Sequence, residues 1–172
     1  MKLKVAQVVS DSIVDGVGYR LTVFVQGCPH HCPGCHNPST WDFDGGYEMD
    51  TGEIAAKLRD NPLEGGITFS GGEPFCQPEP LGELAEAAHA MGRTVWVYSG
   101  FCLEEIMAMS KENEAAKKLL DLADVLVDGR YQEAQRDLSL EFRGSRNQRI
   151  IDMKETRRQG KIVLWDGGGA GG

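Results

Sequence analysis

Strand and helix signals alternate along this chain, and that alternation predicts the α/β class, as a short partial (β/α) barrel or an open parallel sheet. Length supports the same reading. The chain has 172 residues, whereas a complete eight-unit barrel needs roughly 200 or more. The third observation is positional. Every loop rich in chemistry-bearing residues directly follows a predicted strand, and open α/β sheets bind ligands beyond those C-terminal strand ends.

The elements follow in order. Leu21 to Gln26 is a β-branched and aromatic run, hence a strand, and Gly27 ends it. Asp50 to Asp60 reads as a helix, with Asp50 and Glu53 as an N-terminal capping pair and Ile54, Ala55 and Leu58 on one face. Asn61-Pro62 stops it. Gly66 to Ser70 is a second strand, running into Gly71-Gly72-Glu73-Pro74. Pro80 to Met91 carries Leu81, Leu84, Ala85, Ala88 and Met91 at helical spacing, with Gly92 at its C-terminal cap. Thr94 to Ser99 is a third strand, Leu103 to Ala123 a helix broken near Ser110–Asn113, and Val125 to Asp128 a fourth strand. Lys161 to Trp165 is a candidate late strand. No internal repeat or composition break divides the chain, so residues 1–166 form one domain, followed by a flexible glycine-rich tail at 167–172.

Composition limits the function classes. Lys+Arg 18 against Asp+Glu 26 gives a net charge of −8, which argues against broad binding to nucleic acid or anionic membranes. No apolar run approaches the roughly 18 residues of a membrane span, and the start of the chain does not read as a secretory signal. A cytoplasmic location is expected. Five cysteines in such a chain point to metal binding before disulfides, because three of them, Cys28, Cys32 and Cys35, crowd into one loop.

The spacing Cys28-x₃-Cys32-x₂-Cys35 lets three thiolates converge from one loop. A zinc site completed by His30, His31 or His36 fits the local spacing. It leaves Gly71–Glu73 without a use, and no second Cys-x₂-Cys is present, since Cys76 and Cys102 are isolated. A [4Fe–4S] cluster normally takes four thiolates. Three would leave one iron open to a ligand, which accounts for the number of cysteines and for a glycine-rich loop opposite them.

The cysteine triplet after an N-terminal strand, with Gly71-Gly72-Glu73-Pro74 after the next, resembles the radical S-adenosylmethionine superfamily. Within it the chain most resembles the activating proteins of anaerobic (class III) ribonucleoside-triphosphate reductases. The likeness runs over roughly residues 10–153. It rests on Val14–Arg20, Phe24–Cys28, Cys32–Pro38 with Trp41, Ser70–Pro74, Asp124–Gly129 and Phe142–Asp152. One position departs from the superfamily: Gly34 stands where an aromatic residue usually precedes the third cysteine, so another side chain, such as His36, must cover the adenine.

The resemblance implies a fold of the radical S-adenosylmethionine type. It implies a cluster on Cys28, Cys32 and Cys35, and a cofactor bound by Gly34, Cys35, His36, Gly71, Gly72 and Glu73. In that scheme the open iron chelates S-adenosylmethionine. One electron then splits the C–S bond, and the 5′-deoxyadenosyl radical takes a hydrogen atom from a glycine Cα of the partner reductase. Glycines 71 and 72 would let backbone approach the methionine moiety, and Glu73 would face its ammonium. Ser99 and Asp128 either reach the cofactor or cap strand ends. Arg143, Arg146 and Arg149 either meet the partner or brace their loop, while Trp96 and Trp165 belong to the core and Cys76 and Cys102 are plain thiols. A flavodoxin-like electron donor is implied, and the short open sheet implies that the partner completes the pocket. An activase of the pyruvate formate-lyase type and a zinc-binding contact module are the competing readings.

Overall fold

The computed structural model describes residues 1–167; the expected flexible tail, Gly167 apart, lies outside the described residues. Twelve principal elements follow one another: β1 (Lys2–Ser12), β2 (Arg20–Val25), β3 (Tyr47–Asp50), α1 (Thr51–Arg59), β4 (Gly66–Gly71), α2 (Pro78–Ala90), β5 (Thr94–Tyr98), α3 (Leu103–Ser110), α4 (Glu114–Leu122), β6 (Val125–Asp128), β7 (Arg149–Asp152) and α5 (Met153–Gln159). The strands form one open sheet in the order β3-β1-β2-β4-β5-β6-β7. The four central strands β2, β4, β5 and β6 are parallel. The flanking strands β1, β3 and β7 are antiparallel.

The open α/β expectation therefore holds for the centre of the sheet, and its purely parallel form is corrected at both edges. The sequence reading had no strand at β1, β3 or β7. The late strand expected at Lys161–Trp165 shortens to one antiparallel bridge between Leu164 and Ile151 on the outer edge of β7, where Asp152 N–H donates to Val163 O and Trp165 N–H to Ile150 O.

Alternation along the central strands creates two unlike faces. Leu21, Val23 and Val25 of β2, Ile67 and Phe69 of β4, Val95 and Val97 of β5 and Leu126 of β6 pack in one buried cluster with Ile54 and Leu58 of α1, Leu81 and Leu84 of α2 and Leu119 of α4. Each such side chain contributes about 1.5–3 kcal/mol on burial. Trp96, Val125 and Val127 form a second cluster with Tyr98, Phe142 and Trp165. The helices thus cover one face, while the 129–148 loop and Trp165 cover part of the other.

That second face also holds a buried cation. Arg20 has no exposed surface. Its Nε donates to Thr68 Oγ1 at 2.8 Å, Nη1 to Thr94 Oγ1 at 2.9 Å and Nη2 to the carbonyls of Ile67 and Thr94 at 3.0 and 2.9 Å. Its guanidinium lies 5.7 Å from the Trp96 ring centroid. Burial lowers its pKa to about 10. Thr68 Oγ1 donates in turn to the Asp15 carbonyl, so Arg20 and Thr68 tie the 13–19 loop to the sheet.

Helix ends follow the local chemistry. Asp50 caps α1 by accepting from Gly52 N–H, and Asn113 starts α4 by accepting from Ala116 N–H. The break between α3 and α4 falls where the sequence places it.

Candidate functional site

Gly27 ends β2 at φ +102, and the turn opens the cysteine loop. Cys28 is buried, and Cys32 and Cys35 are half-buried. Burial pushes the Cys28 and Cys32 thiols up, against the lowering effect of backbone N–H groups of His30 and His31 on Cys28 and of Tyr131 on Cys32. Asn37 N–H donates to Cys35 Sγ at 3.4 Å. The loop is thus already furnished with donors for thiolate sulfurs, and metal capture would expel the thiol protons. Among the described residues no group of three His, Cys, Asp or Glu side chains is arranged to hold a single metal ion; a multi-iron cluster takes each thiolate at a different iron. Three soft sulfur donors on one loop, served by peptide N–H groups, fit an iron–sulfur cluster.

A cleft of about 560 Å³ adjoins this loop, within the usual range for small-molecule sites. Its walls include Cys35, His36 and Asn37 from the cysteine loop, Asp15 from the β1–β2 loop, Tyr98 from the end of β5, and Tyr131, Phe142, Arg143 and Gln148 from the long loop after β6. His36 and Tyr131 form a tilted aromatic pair, with centroids 5.1 Å apart. On another side of the loop His31, at φ +48, stacks on Trp41 at 4.6 Å.

The predicted cofactor residues divide into two groups. Cys35 and His36 line the cleft. Gly34 lies beside them at φ +76, where a Cβ would press on the Glu133 carboxyl at 2.9 Å. Gly71, Gly72 and Glu73 are not among the cleft-lining residues; they pack under the cysteine loop. A Cβ on Gly71 would stand 2.6 Å from Val25 N, and one on Gly72 would overlap the Gly27 carbonyl. Gly72 N–H donates to Val25 O and Glu73 N–H to Gly27 O, both at 2.8 Å. The two glycines therefore allow close approach of β4 to the end of β2, a different reason for them from the approach of a ligand.

Glu73 has no exposed surface. Its carboxylate accepts from Phe75 N–H (3.0 Å), Gly100 N–H (2.8 Å) and Ser99 Oγ (2.9 Å to one oxygen, 3.0 Å to the other), and His30 Nε2 lies 2.7 Å from Oε1. Both Glu73 oxygens thus already have partners within the protein.

The remaining predicted residues have structural partners. Ser99 serves Glu73. Asp128 accepts from Leu103 N–H at 2.7 Å, at the start of α3, and from Arg149 Nε at 3.0 Å and Nη2 at 2.5 Å. Arg149 also reaches Glu104, and Arg143 donates to the Gln148 carbonyl at 2.6 Å. Gln148 Oε1 accepts from Gly144 and Ser145, while its Nε2 donates to Gly129 O. Arg143 and Arg149 thus brace the long loop, whereas Arg146 is exposed. Trp96 is core, as expected. The Cys76 thiol is pushed up to about 11 by desolvation and by the negative charges of Glu73 and Cys28. Tyr131 has no signal in the sequence, and His30, which the sequence offers only as a zinc ligand, is instead the partner of Glu73.

Comparison with known proteins accords with this site. Residues 14–151 match the family described as a 4Fe-4S single cluster domain. The anaerobic ribonucleoside-triphosphate reductase-activating protein of Salmonella typhimurium is 40% identical over 152 residues, covering 83% of this chain and 94% of that protein. Its counterpart in Escherichia coli K12 is 37% identical over 151 residues, with the same coverage. The protein of that name in Enterobacteria phage T4 is 32% identical over 145 residues, covering 80% of this chain and 86% of its own. These relatives favour the ribonucleotide reductase type over the pyruvate formate-lyase type. With 40% identity across most of both chains and a matching cluster domain, the chain belongs to the family of anaerobic ribonucleoside-triphosphate reductase-activating proteins.

Proposed function

We propose that this chain binds a [4Fe–4S] cluster through Cys28, Cys32 and Cys35 and S-adenosylmethionine beside it, and installs a glycyl radical on an anaerobic ribonucleoside-triphosphate reductase in the cytoplasm. The observation that carries this reading is the placement of Cys35 and His36 in the wall of the cleft at the C-terminal ends of the parallel strands. When bound, the two cofactors supply reductive cleavage of the sulfonium C–S bond and the carbon radical that removes hydrogen from glycine; a flavodoxin-like protein would deliver the electron.

The protein's own part is binding, orientation and exclusion of water. The cysteine loop holds three irons and leaves the fourth without a protein ligand. The His36–Tyr131 pair offers an aromatic wall for a purine, which takes over the covering task that Gly34 cannot perform. The backbone of Gly34–His36, at the cleft wall, would meet the purine edge of a bound nucleoside. Gly71, Gly72 and Glu73 shape the site from below, through the end of β2 and the cysteine loop. The open sheet with four parallel central strands supports reading the fold as a short partial barrel of the radical S-adenosylmethionine type. The long loop after β6 walls the cleft on one side, and the partner completes the enclosure.

The test is anaerobic reconstitution with iron and sulfide. The wild-type chain should turn brown and release 5′-deoxyadenosine from S-adenosylmethionine under a strong reductant, and Cys32→Ala should lose colour and cleavage together. Full cleavage by Cys32→Ala, or a colourless wild-type protein holding one zinc ion, would overturn the reading. A glycyl radical seen by electron spin resonance on the reductase identifies the partner.

A further inference from the structure

The cysteine loop and the Gly71–Pro74 turn meet at one buried side chain at a variable position of the cysteine motif. His30 sits between Cys28 and Cys32, and its side chain is 5% exposed. Its Nε2 lies 2.7 Å from Glu73 Oε1. A carboxylate oxygen can only accept, so Nε2 donates. The His30 ring also packs edge-on against Phe101, with centroids 4.5 Å apart. Gly100 lies so close that a Cβ there would stand 2.7 Å from His30 Nε2 and overlap Cδ2. Glu73 is bonded in turn to Ser99 Oγ and Gly100 N–H after β5, and to Phe75 N–H in its own turn. One imidazole therefore joins the loop that carries the thiols to the turns after β4 and β5.

We infer that His30 is a positioning residue whose bond to Glu73 couples retention of the cluster to binding of the nucleoside cofactor. The physical argument is linkage. The three thiolates can hold a cluster only in one loop conformation. Glu73 holds its own turn and the Ser99–Gly100 turn, and its fourth donor, His30, ties both to the cysteine loop. A single hydrogen-bonded pair common to both makes each arrangement favour the other, and such coupling acts in both directions. A hydrogen bond to a buried charged group is among the stronger ones, and its loss leaves the charge undercompensated.

The inference rests on the cofactor reading above, and the experiment separates the two. The full chain is reconstituted anaerobically as wild type, His30→Phe, His30→Gln and Gly100→Ala. The phenylalanine keeps ring volume without a donor, the glutamine keeps a donor, and Gly100→Ala presses on the ring at its Cδ2–Nε2 edge without changing any residue of the cysteine loop. Two quantities are read on each: the rate of iron loss to a chelator, and S-adenosylmethionine affinity from the change it makes in the spin-resonance signal of the reduced cluster. His30→Phe and Gly100→Ala should lose iron at least fivefold faster and bind the cofactor at least tenfold more weakly, and His30→Gln should recover most of both. Values within twofold of wild type on both readouts, or a change in only one of them, overturn the coupling. If the wild-type chain holds its cluster but binds no S-adenosylmethionine, the cofactor reading fails instead. The tie between loops is then judged on iron loss, where equal rates in wild type and His30→Phe refute it. Should His30→Phe not fold, Gly100→Ala decides the matter alone.

Discussion

Glu73 gathers four donors from three loops at a fully buried position, so its removal strands each of them. Glu73→Ala should cost about 3 kcal/mol, since an unpaired buried polar group costs roughly 1–3 kcal/mol and breaking a buried charged pair roughly 3–5. For a chain of this size that corresponds to a fall in Tm of roughly 6–12 °C, measured by calorimetry on the cluster-free protein. Glu73→Gln, which keeps one acceptor oxygen, should lose less; equal losses would show that packing, not hydrogen bonding, holds the site. The residue scale is also where the sequence was least legible. Cys28, Cys32 and Cys35 could be read as metal-ligand candidates from spacing and His36 as a cofactor residue only through the family resemblance, and the structure places Cys35 and His36 in the cleft wall. The partners of Glu73 could not, because His30, Ser99 and Gly100 lie 43, 26 and 27 positions away and only the sheet order brings them together. A carboxylate in a loop looks the same in sequence whether it faces a ligand or the protein.

At the scale of elements, the central strands and the first four helices carry strong periodic signals, and the structure has them within a few residues of expectation. The edge strands do not. In β1 only Leu3, Val5 and Ser12 are buried, and Tyr47–Asp50 of β3 is partly or fully exposed throughout. Their order comes from backbone pairing with a neighbour far along the chain, which leaves no pattern in side-chain polarity. Where two elements touch, glycine decides the contact. Gly72→Ala forces the turn after β4 away from the Gly27 carbonyl and should cost about 2–3 kcal/mol, in the range of overpacked sites, with a matching loss of iron uptake. Gly92→Ala, in open space at φ +75, should cost only about 1–2 kcal/mol of left-handed strain and leave iron uptake unchanged. Urea unfolding and iron analysis check both.

The start of α3 carries the pH dependence. Arg130, first, and the Cys102 N–H hold the Glu105 carboxyl down to about 2, well below its usual 4.5. A depressed carboxylate stabilises the fold fully above its unfolded value. That contribution fades as pH falls from 4.5 toward about 2. The group is largely exposed, which keeps the effect small. Urea unfolding over that window should show the wild type losing more stability than Glu105→Gln; parallel losses would refute the assignment.

On the scale of the whole molecule, the sheet divides labour between its faces. Helices bury the apolar side chains on one, and the other keeps Arg20, Trp96 and the cleft under a long loop braced by Arg143, Gln148 and Arg149. That loop exposes Leu138 at 81% of its surface. It stands outside the cleft lining, where a partner closing over the site would meet it. Leu138→Asp should lower the yield of glycyl radical on the reductase about fivefold, as a single interface truncation of about 1 kcal/mol would, and leave cleavage of S-adenosylmethionine by the isolated chain unchanged. Equal loss of both would place Leu138 inside the chemistry.

The large apolar cluster between sheet and helices contains none of the three loop cysteines. The main core is therefore built without the thiols proposed to carry the cluster, so a molecule stripped of iron by air should keep its fold and accept iron and sulfide again without being unfolded first.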